Sequence, residues 1–299
     1  MEAGWTIHNV GHGVSPLILH VPHAGTWIPE VERRGLLLGD DELNVEINCM
    51  TDWYTDRLAI DALTKAGVSA TVFANRASRL VIDPERFVGE GEPMAAIGMG
   101  PVYHVTSDLR PLRNDDPVED QRLLDQWFYP YAAAFTELVD QTLADHGHAV
   151  IVDLHSYPKA ALPYEPHPTA QRPGICVGTD PDHTPEGLRA AAFDAFGDHR
   201  GGHAENTPFA GTYVPLKHLG RTLNVWSVMI EVRRDLYQQE LGGPLHKGFE
   251  EVSDRLSHLL LALTNPGRIG PVRSEQRPSL PGFGNTEFPG PTIRRIISP

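Results

Sequence analysis

A chain of 299 residues with 40% apolar and 21% charged residues is long enough to bury about three quarters of its unfolded surface around a large core. A net charge of −14 excludes a general nucleic-acid binder, whose phosphates need a basic face, but leaves room for a small anionic ligand at a local arginine cluster. The two cysteines, Cys49 and Cys176, stand in no ligand spacing. That argues against a disulfide scaffold or thiolate zinc site and suits a reducing, cytoplasmic setting. Residues 1–14 lack a cationic segment followed by an apolar run, and no stretch approaches ~20 apolar residues, so neither a signal peptide nor a membrane partner is expected.

In chain order, the run Leu17-Ile18-Leu19-His20-Val21 lies between Pro16 and Pro22 and predicts a buried strand. Residues 52–65 predict a helix, with Trp53, Leu58, Ile60 and Leu63 as apolar positions and Gly67 as its stop. Residues 68–73 and 79–82 predict two short strands. Asp116-Pro117-Val118-Glu119 is a strong helix start, and an apolar stripe from Leu123 to Leu143 predicts one helix running to His146, closed by Gly147. Residues 150–152 form a further strand that runs into Asp153-Leu154-His155. A helix over 184–197, a strand over 225–232 and a helix over 249–263 complete the catalytic domain, which is placed at 1–266. Residues 267–299, rich in Pro and Gly, predict an extended tail. Strands alternating with helices imply an α/β fold with a largely parallel sheet flanked by helices, and such sheets place their sites at the carboxyl ends of strands.

Three of these strands end in, or carry, residues that an apolar core would not choose. The first runs into His23, the second into His155, and the third carries Glu231 within Met229-Ile230-Glu231-Val232. If the strands are neighbours, two imidazoles and a carboxylate converge, and catalytic zinc sites use three such ligands with a fourth position left to water. Glu46, Asp52 and Asp56 are candidates for a further carboxylate. Asp52, at the helix start, is preferred as ligand, with Asp56, one turn on, orienting a histidine. Helix capping is the commoner use of such an Asp, whereas an acid inside an apolar strand costs several kcal/mol unless paired or functional. Arg233 and Arg234 are candidates to pair with Glu231. Arg76, Arg79 and Arg86 suit a carboxylate-bearing ligand, since guanidinium forks match carboxylates, although Asp83 and Glu85 offer them ion pairs as well. The loop 201–211, with Asn206, is either a substrate loop or an ordinary connection. His183, His199 and His203 are expected on the surface. No phosphate-binding or dinucleotide glycine loop and no Gly-x-Ser-x-Gly elbow is present.

The ordered set Pro22-His23-Ala24-Gly25-Thr26, Thr51-Asp52-Trp53-Tyr54, Ser78-Arg79-Leu80-Val81-Ile82-Asp83-Pro84-Glu85-Arg86, the stretch 98–103, Tyr129-Pro130-Tyr131, Val152-Asp153-Leu154-His155-Ser156, the stretch 206–211 and Ile230-Glu231-Val232-Arg233-Arg234 resembles the N-formylglutamate amidohydrolase family, over roughly residues 15 to 240. The resemblance implies a mixed sheet of the zinc carboxypeptidase and phosphorylase/hydrolase-like kind and one zinc ion held by two histidines and a carboxylate, although such ligands suit other divalent metals as well. Carried over, His23 and His155 are the histidine ligands and Glu231 is the general base. The carboxypeptidase pattern puts a Glu three residues after the first His, where this chain has Thr26, so Asp52 is taken as the third ligand. Arg79 is expected to steady the oxyanion or the substrate carboxylate, with Arg86, Arg76, Asn206 and Arg233 around the substrate. The implied reaction is hydrolysis of the amide of a small anionic N-formyl or N-acyl amino acid, the alternative being another N-acyl amino acid or a peptide carboxy-terminus. Since every candidate ligand and the base are present, a non-catalytic relative is disfavoured. Two departures, Ala132 where members usually have Pro-Tyr-His and Glu85 where they often have Asp-x-Asn-Arg, are expected to reshape the pocket.

Overall fold

The computed structural model describes residues 3–270 apart from 90, 167, 198 and 200. Seven strands form one sheet: β1 (Trp5–Val10), β2 (Leu17–Val21), β3 (Ala70–Asn75), β4 (Ala149–Tyr157), β5 (Ile175–Gly178), β6 (His203–Glu205) and β7 (Val225–Arg233). Their order is β1-β3-β2-β4-β7-β5-β6. The β3–β2, β2–β4, β4–β7 and β5–β6 pairings are parallel, while β1 and β5 run antiparallel to β3 and β7. The sheet is thus mixed and largely parallel. The helices are α1 (Glu30–Arg33), α2 (Asp40–Met50), α3 (Thr55–Ala66), α4 (Pro117–Leu123), α5 (Tyr129–His146), α6 (Glu186–Phe196), α7 (Gly248–Ala262) and α8 (Pro266–Ile269).

The period-2 alternation of the central strands sorts their side chains. Leu17, Leu19, Val150, Val152, Leu154, Val228, Ile230 and Val232 face one way, into a core completed by Leu58 and Leu63 of α3, Phe196 of α6 and Leu256 and Leu260 of α7. On the other face Ile18, Ala149, Ile151 and Val225 pack under Tyr131, Phe135 and Val139 of α5. Further along that second face the apolar residues give way to His20, Asp153, His155 and Glu231, all still buried. Registers His20↔Asp153 and His155↔Glu231 put them side by side on three adjacent strands. The carboxyl ends of β2, β4 and β7 therefore carry the polar chemistry.

Several boundaries differ from the sequence expectation. Residues 79–82 are a buried turn rather than a strand, closed by Val81 N–H donating to Ser78 O at 2.8 Å. The single helix expected over 117–146 is interrupted by a π-helical turn, Leu124–Phe128, just before Pro130, whose nitrogen has no hydrogen to give back to the preceding turn. Its start is as read: Asp116 accepts from the amides of Val118 and Glu119. The helix over 52–65 begins at Thr55, because Tyr54 takes a left-handed φ of 65°. Strands β1, β5 and β6 and helix α2 were not anticipated: β1 alternates weakly, and β5 and β6 are only 4 and 3 residues long. His183 and His199 are buried, not on the surface: His183 Nδ1 donates to Val225 O at 2.7 Å and its Nε2 accepts from Gly220 N–H at 2.8 Å. The first residues of the segment expected as a tail from 267 belong to α8, which reaches Ile269, 1% exposed in the main core. The rest of that segment, 271–299, lies outside the described residues.

Candidate metal centre

His23 follows β2 directly, and its carbonyl accepts from Asp52 N–H at 3.0 Å, which ties the loop before α3 to the end of β2. Gly25 makes the close approach possible: a Cβ there would stand 2.4 Å from the carbonyl of Arg76. His155 comes from β4. The three side chains meet in a triangle: His23 Nδ1 to His155 Nδ1 is 3.2 Å, His155 Nδ1 to Asp52 Oδ2 is 3.2 Å, and His23 Nδ1 to Asp52 Oδ2 is 3.6 Å. Donors about 2.0–2.2 Å from a tetrahedral zinc stand about 3.3–3.6 Å from one another, so this donor set fits that ion. Glu46 and Asp56 are not part of the triangle. Glu46 accepts from the backbone and hydroxyl of Ser107 at 2.6 and 2.8 Å, and Asp56 is exposed.

The outer edge of each imidazole is held by a carboxylate absent from the sequence-based set. His23 Nε2 donates to Asp83 Oδ1 at 2.9 Å, and His155 Nε2 donates to Asp153 Oδ1 at 3.0 Å. With Nε2 as the protonated nitrogen, each Nδ1 lone pair is turned into the triangle, the arrangement of metal-bound histidines. Asp83 is locked in turn by Arg79 at 2.7 Å and by the Tyr103 hydroxyl, and Asp153 by Tyr213 N–H at 3.0 Å and His20 at 2.9 Å. Asp52 Oδ1 accepts from Arg234 at 3.0 Å, leaving Oδ2 for the triangle. Arg234 also donates to Cys49 O at 2.6 Å and to Ser156 Oγ at 3.2 Å, so it ties α2, β4 and the end of β7 together. Arg234 thus pairs with Asp52 and not with Glu231. Asp83 and Asp153, not Asp56, orient the imidazoles. An Asp two residues before His155 on an alternating strand was the available sequence signal for Asp153.

Burial alone raises the Asp52 carboxyl, but the adjoining imidazoles of His155 and His23 and the charge of Arg234 hold it well below the usual range. For His155, burial opposes protonation, yet Glu85 and Asp153 outweigh it and raise the imidazole well above its ordinary value. Two Nδ1 atoms 3.2 Å apart share at most one proton between them, so this electrostatic preference for positive charge is the preference a dication meets.

Glu231, opposite His155, is 8% exposed, and its Oε2 has no hydrogen-bond partner among the described residues. Burial pushes its carboxyl up to about 8, against the opposing charge of His155. Cys176 lies beside it in register, with Met229, Tyr157 and Phe209 in the same apolar cluster. The basic residues divide by commitment. Arg79 donates from Nε to Tyr103 at 3.0 Å and to Asp83. Arg86 makes only long ion contacts, 3.6 Å to Asp83 and 3.7 Å to Glu92, and its buried Nε has no hydrogen-bond partner among the described residues. The Arg76 guanidinium lies over the Trp27 ring at 5.4 Å. The amide of Asn206 closes its own loop, accepting from Thr179 N–H and Gly211 N–H at 2.9 and 3.1 Å. Arg233 pairs with Asp235 at 2.7 Å and lines an open cleft of about 430 Å³ with Asp235, His246 and Lys247.

A sequence model of the family described as N-formylglutamate amidohydrolase matches residues 15–238. An N-formylglutamate deformylase from Pseudomonas aeruginosa is 27% identical over 237 residues, which covers 76% of this chain and 84% of that protein. The crystal structure of an N-formylglutamate amidohydrolase from Ralstonia eutropha superposes with a TM-score of 0.71 at 25% identity, covering 88% of this chain and 98% of the other. That of an Agrobacterium tumefaciens gene product gives 0.61 at 20% identity, over 88% and 94%. With three quarters of its length matched in sequence and a mixed sheet shared with a solved member, the chain belongs to the N-formylglutamate amidohydrolase family, a family of hydrolases.

Proposed function

We propose that the chain hydrolyses the amide of an N-formyl amino acid, N-formylglutamate first, to formate and the free amino acid, with one Zn²⁺ held by His23, Asp52 and His155. The observation that carries this reading is the triangle of two Nδ1 atoms and one carboxylate oxygen at 3.2–3.6 Å, with the far side of each ligand fixed by a separate partner. Zinc, when bound, polarises a carbonyl and lowers the pKa of water towards ~7. Glu231 is the general base: its unpartnered Oε2 takes the proton of the attacking water and delivers it to the leaving amine nitrogen. A carboxyl pushed up towards neutrality by an apolar wall suits a group that must both accept and return a proton. Arg86, with donors left over, grips the anionic end of the substrate, while Arg79 keeps its charge beside Asp83 and steadies negative charge developing near the centre. Asn206 and Arg76 act by shaping the walls, and Arg233 by lining the outer cleft.

The test is formate release from N-formyl-L-glutamate by protein as purified, after chelation, and after zinc is added back. Release that chelation abolishes and zinc restores supports metal and substrate together. No release from protein holding one equivalent of zinc rejects this substrate, and a panel of other N-acyl amino acids then identifies the acyl group and side chain.

A further inference from the structure

We propose that Glu85 is a positioning residue whose charge tightens the hold of the His23–Asp52–His155 centre on its dication. The inference rests on the zinc reading above. Glu85 Oε2 lies 3.3 Å from His155 Nε2 and 3.7 Å from His23 Nε2, and its Oε1 lies 3.4 Å from His20 Nδ1. One carboxylate therefore touches the outer nitrogens of both candidate ligands. Neither imidazole needs it for orientation, because Asp83 and Asp153 already accept from them at 2.9 and 3.0 Å. What Glu85 adds is charge.

That charge is poorly satisfied without a cation. The Glu85 side chain is 16% exposed, and its buried Oε1 has no hydrogen-bond partner among the described residues. Its own backbone N–H donates to Asp83 Oδ1 at 3.2 Å, which fixes it next to one carboxylate, while its contacts with His20 and His155 place it beside another, Asp153. Asp83 is answered by Arg79 at 2.7 Å, but Glu85 and Asp153 share only the imidazoles of His20 and His155 between them, and repulsion between such carboxylates is strong where water is scarce. A dication on the inner faces of the rings makes their outer N–H groups more positive and relieves it. In the metal-free centre Glu85 meets at most the one proton that the two Nδ1 atoms share, whereas a dication polarises both rings towards it, so its charge favours the loaded centre. An amide at this position, as in the Asp-x-Asn-Arg pattern, keeps a polar contact but supplies no charge.

The experiment compares wild type with Glu85→Gln, which keeps the shape, and with Glu85→Asn, which serves if the first variant does not fold. The zinc Kd is measured by competition with a chromophoric chelator, alongside turnover at saturating zinc and the melting temperature of the zinc-free proteins. The expected result is a Kd weaker by about 10- to 100-fold, the usual effect of removing an outer partner of a metal ligand. Turnover at saturating zinc stays within a few-fold, and the zinc-free melting temperature shows that the variant is folded. A folded variant that binds zinc within twofold of wild type overturns the proposal. So does a variant that loses turnover at unchanged Kd, which would move Glu85 to the substrate. Wild-type protein that binds no zinc would instead overturn the metal reading on which the proposal rests.

Discussion

At the scale of single residues, the centre concentrates buried charged and polar groups, which cost stability. Glu231 is the clearest case. Its carboxyl is held near 8 by burial, whereas in the unfolded chain it titrates near 4.5. A raised carboxyl contributes stability that is fully present below the unfolded value and is lost as pH rises towards the folded one. In metal-free protein, Glu231→Gln removes this dependence. The variant is therefore expected to match wild type in stability near pH 5 and to exceed it, by on the order of a few kcal/mol at most, near pH 8. Chemical denaturation of the zinc-free proteins across that range checks this, and parallel curves would show that the carboxyl is not strained. The same substitution, with zinc present, is expected to cost about 10²–10⁴ in kcat, the size of acid–base assistance. His155→Ala acts on a different property: removing one corner of the triangle is expected to leave purified protein with less than a tenth of an equivalent of zinc by elemental analysis. A full equivalent would take His155 out of the ligand set.

At the scale of elements, the site depends on how the end of β2 is wedged against the end of β3. Trp27 N–H donates to Arg76 O at 3.2 Å and Ser78 N–H to Trp27 O at 2.8 Å, and Gly25 lies between this bridge and His23. A Cβ at Gly25 would meet backbone atoms of Arg76 and Ala77 at 2.4–2.6 Å, none of which is the end of a flexible side chain. Gly25→Ala is therefore expected to push the His23 loop outward, lowering stability by about 1–3 kcal/mol and weakening zinc binding together. Denaturant titration and the chelator competition measure the two effects, and a variant unchanged in both would mean the loop accommodates the methyl. The sequence showed that His23, His155 and Glu231 sit at or on strands, because alternation and prolines mark those strands. It did not show which distant carboxylate completes the set. Asp52 reaches His155 across 103 positions, and the packing of the loop before α3 on the end of β2, with the hydrogen bonds to His23 and Arg234, brings it there. Asp83 directly follows the segment 79–82 that reads as a strand, and its partnership with His23 comes from the buried turn found there instead.

At the scale of the whole molecule, the scaffold and the site draw on different interactions. Two apolar cores, one against α3, α6 and α7 and one under α5, hold the sheet. These cores were largely legible from hydrophobic periodicity, which is why the strands and helices that build them were placed within a few residues. The short strands β5 and β6 were not legible, since runs of 4 and 3 residues carry too little periodicity to read. The site, by contrast, gathers Asp52, Asp83, Glu85, Asp153 and Glu231 around a few cations, in a chain already at −14. Chelation should therefore lower global stability without unravelling the sheet. A ligand present at about 1,000 times its Kd stabilises the folded state by about 4 kcal/mol, which in a domain of this size shifts the melting temperature by on the order of 10 °C. The expected outcome is a melt that drops by that order on chelation and recovers with zinc, while the far-UV spectrum at 25 °C stays the same in both forms. Coincident melts would mean that no metal is held tightly enough to matter. A lost far-UV spectrum would mean that the apolar cores do not stand without the ion, against the separation of scaffold and site seen in the side-chain packing.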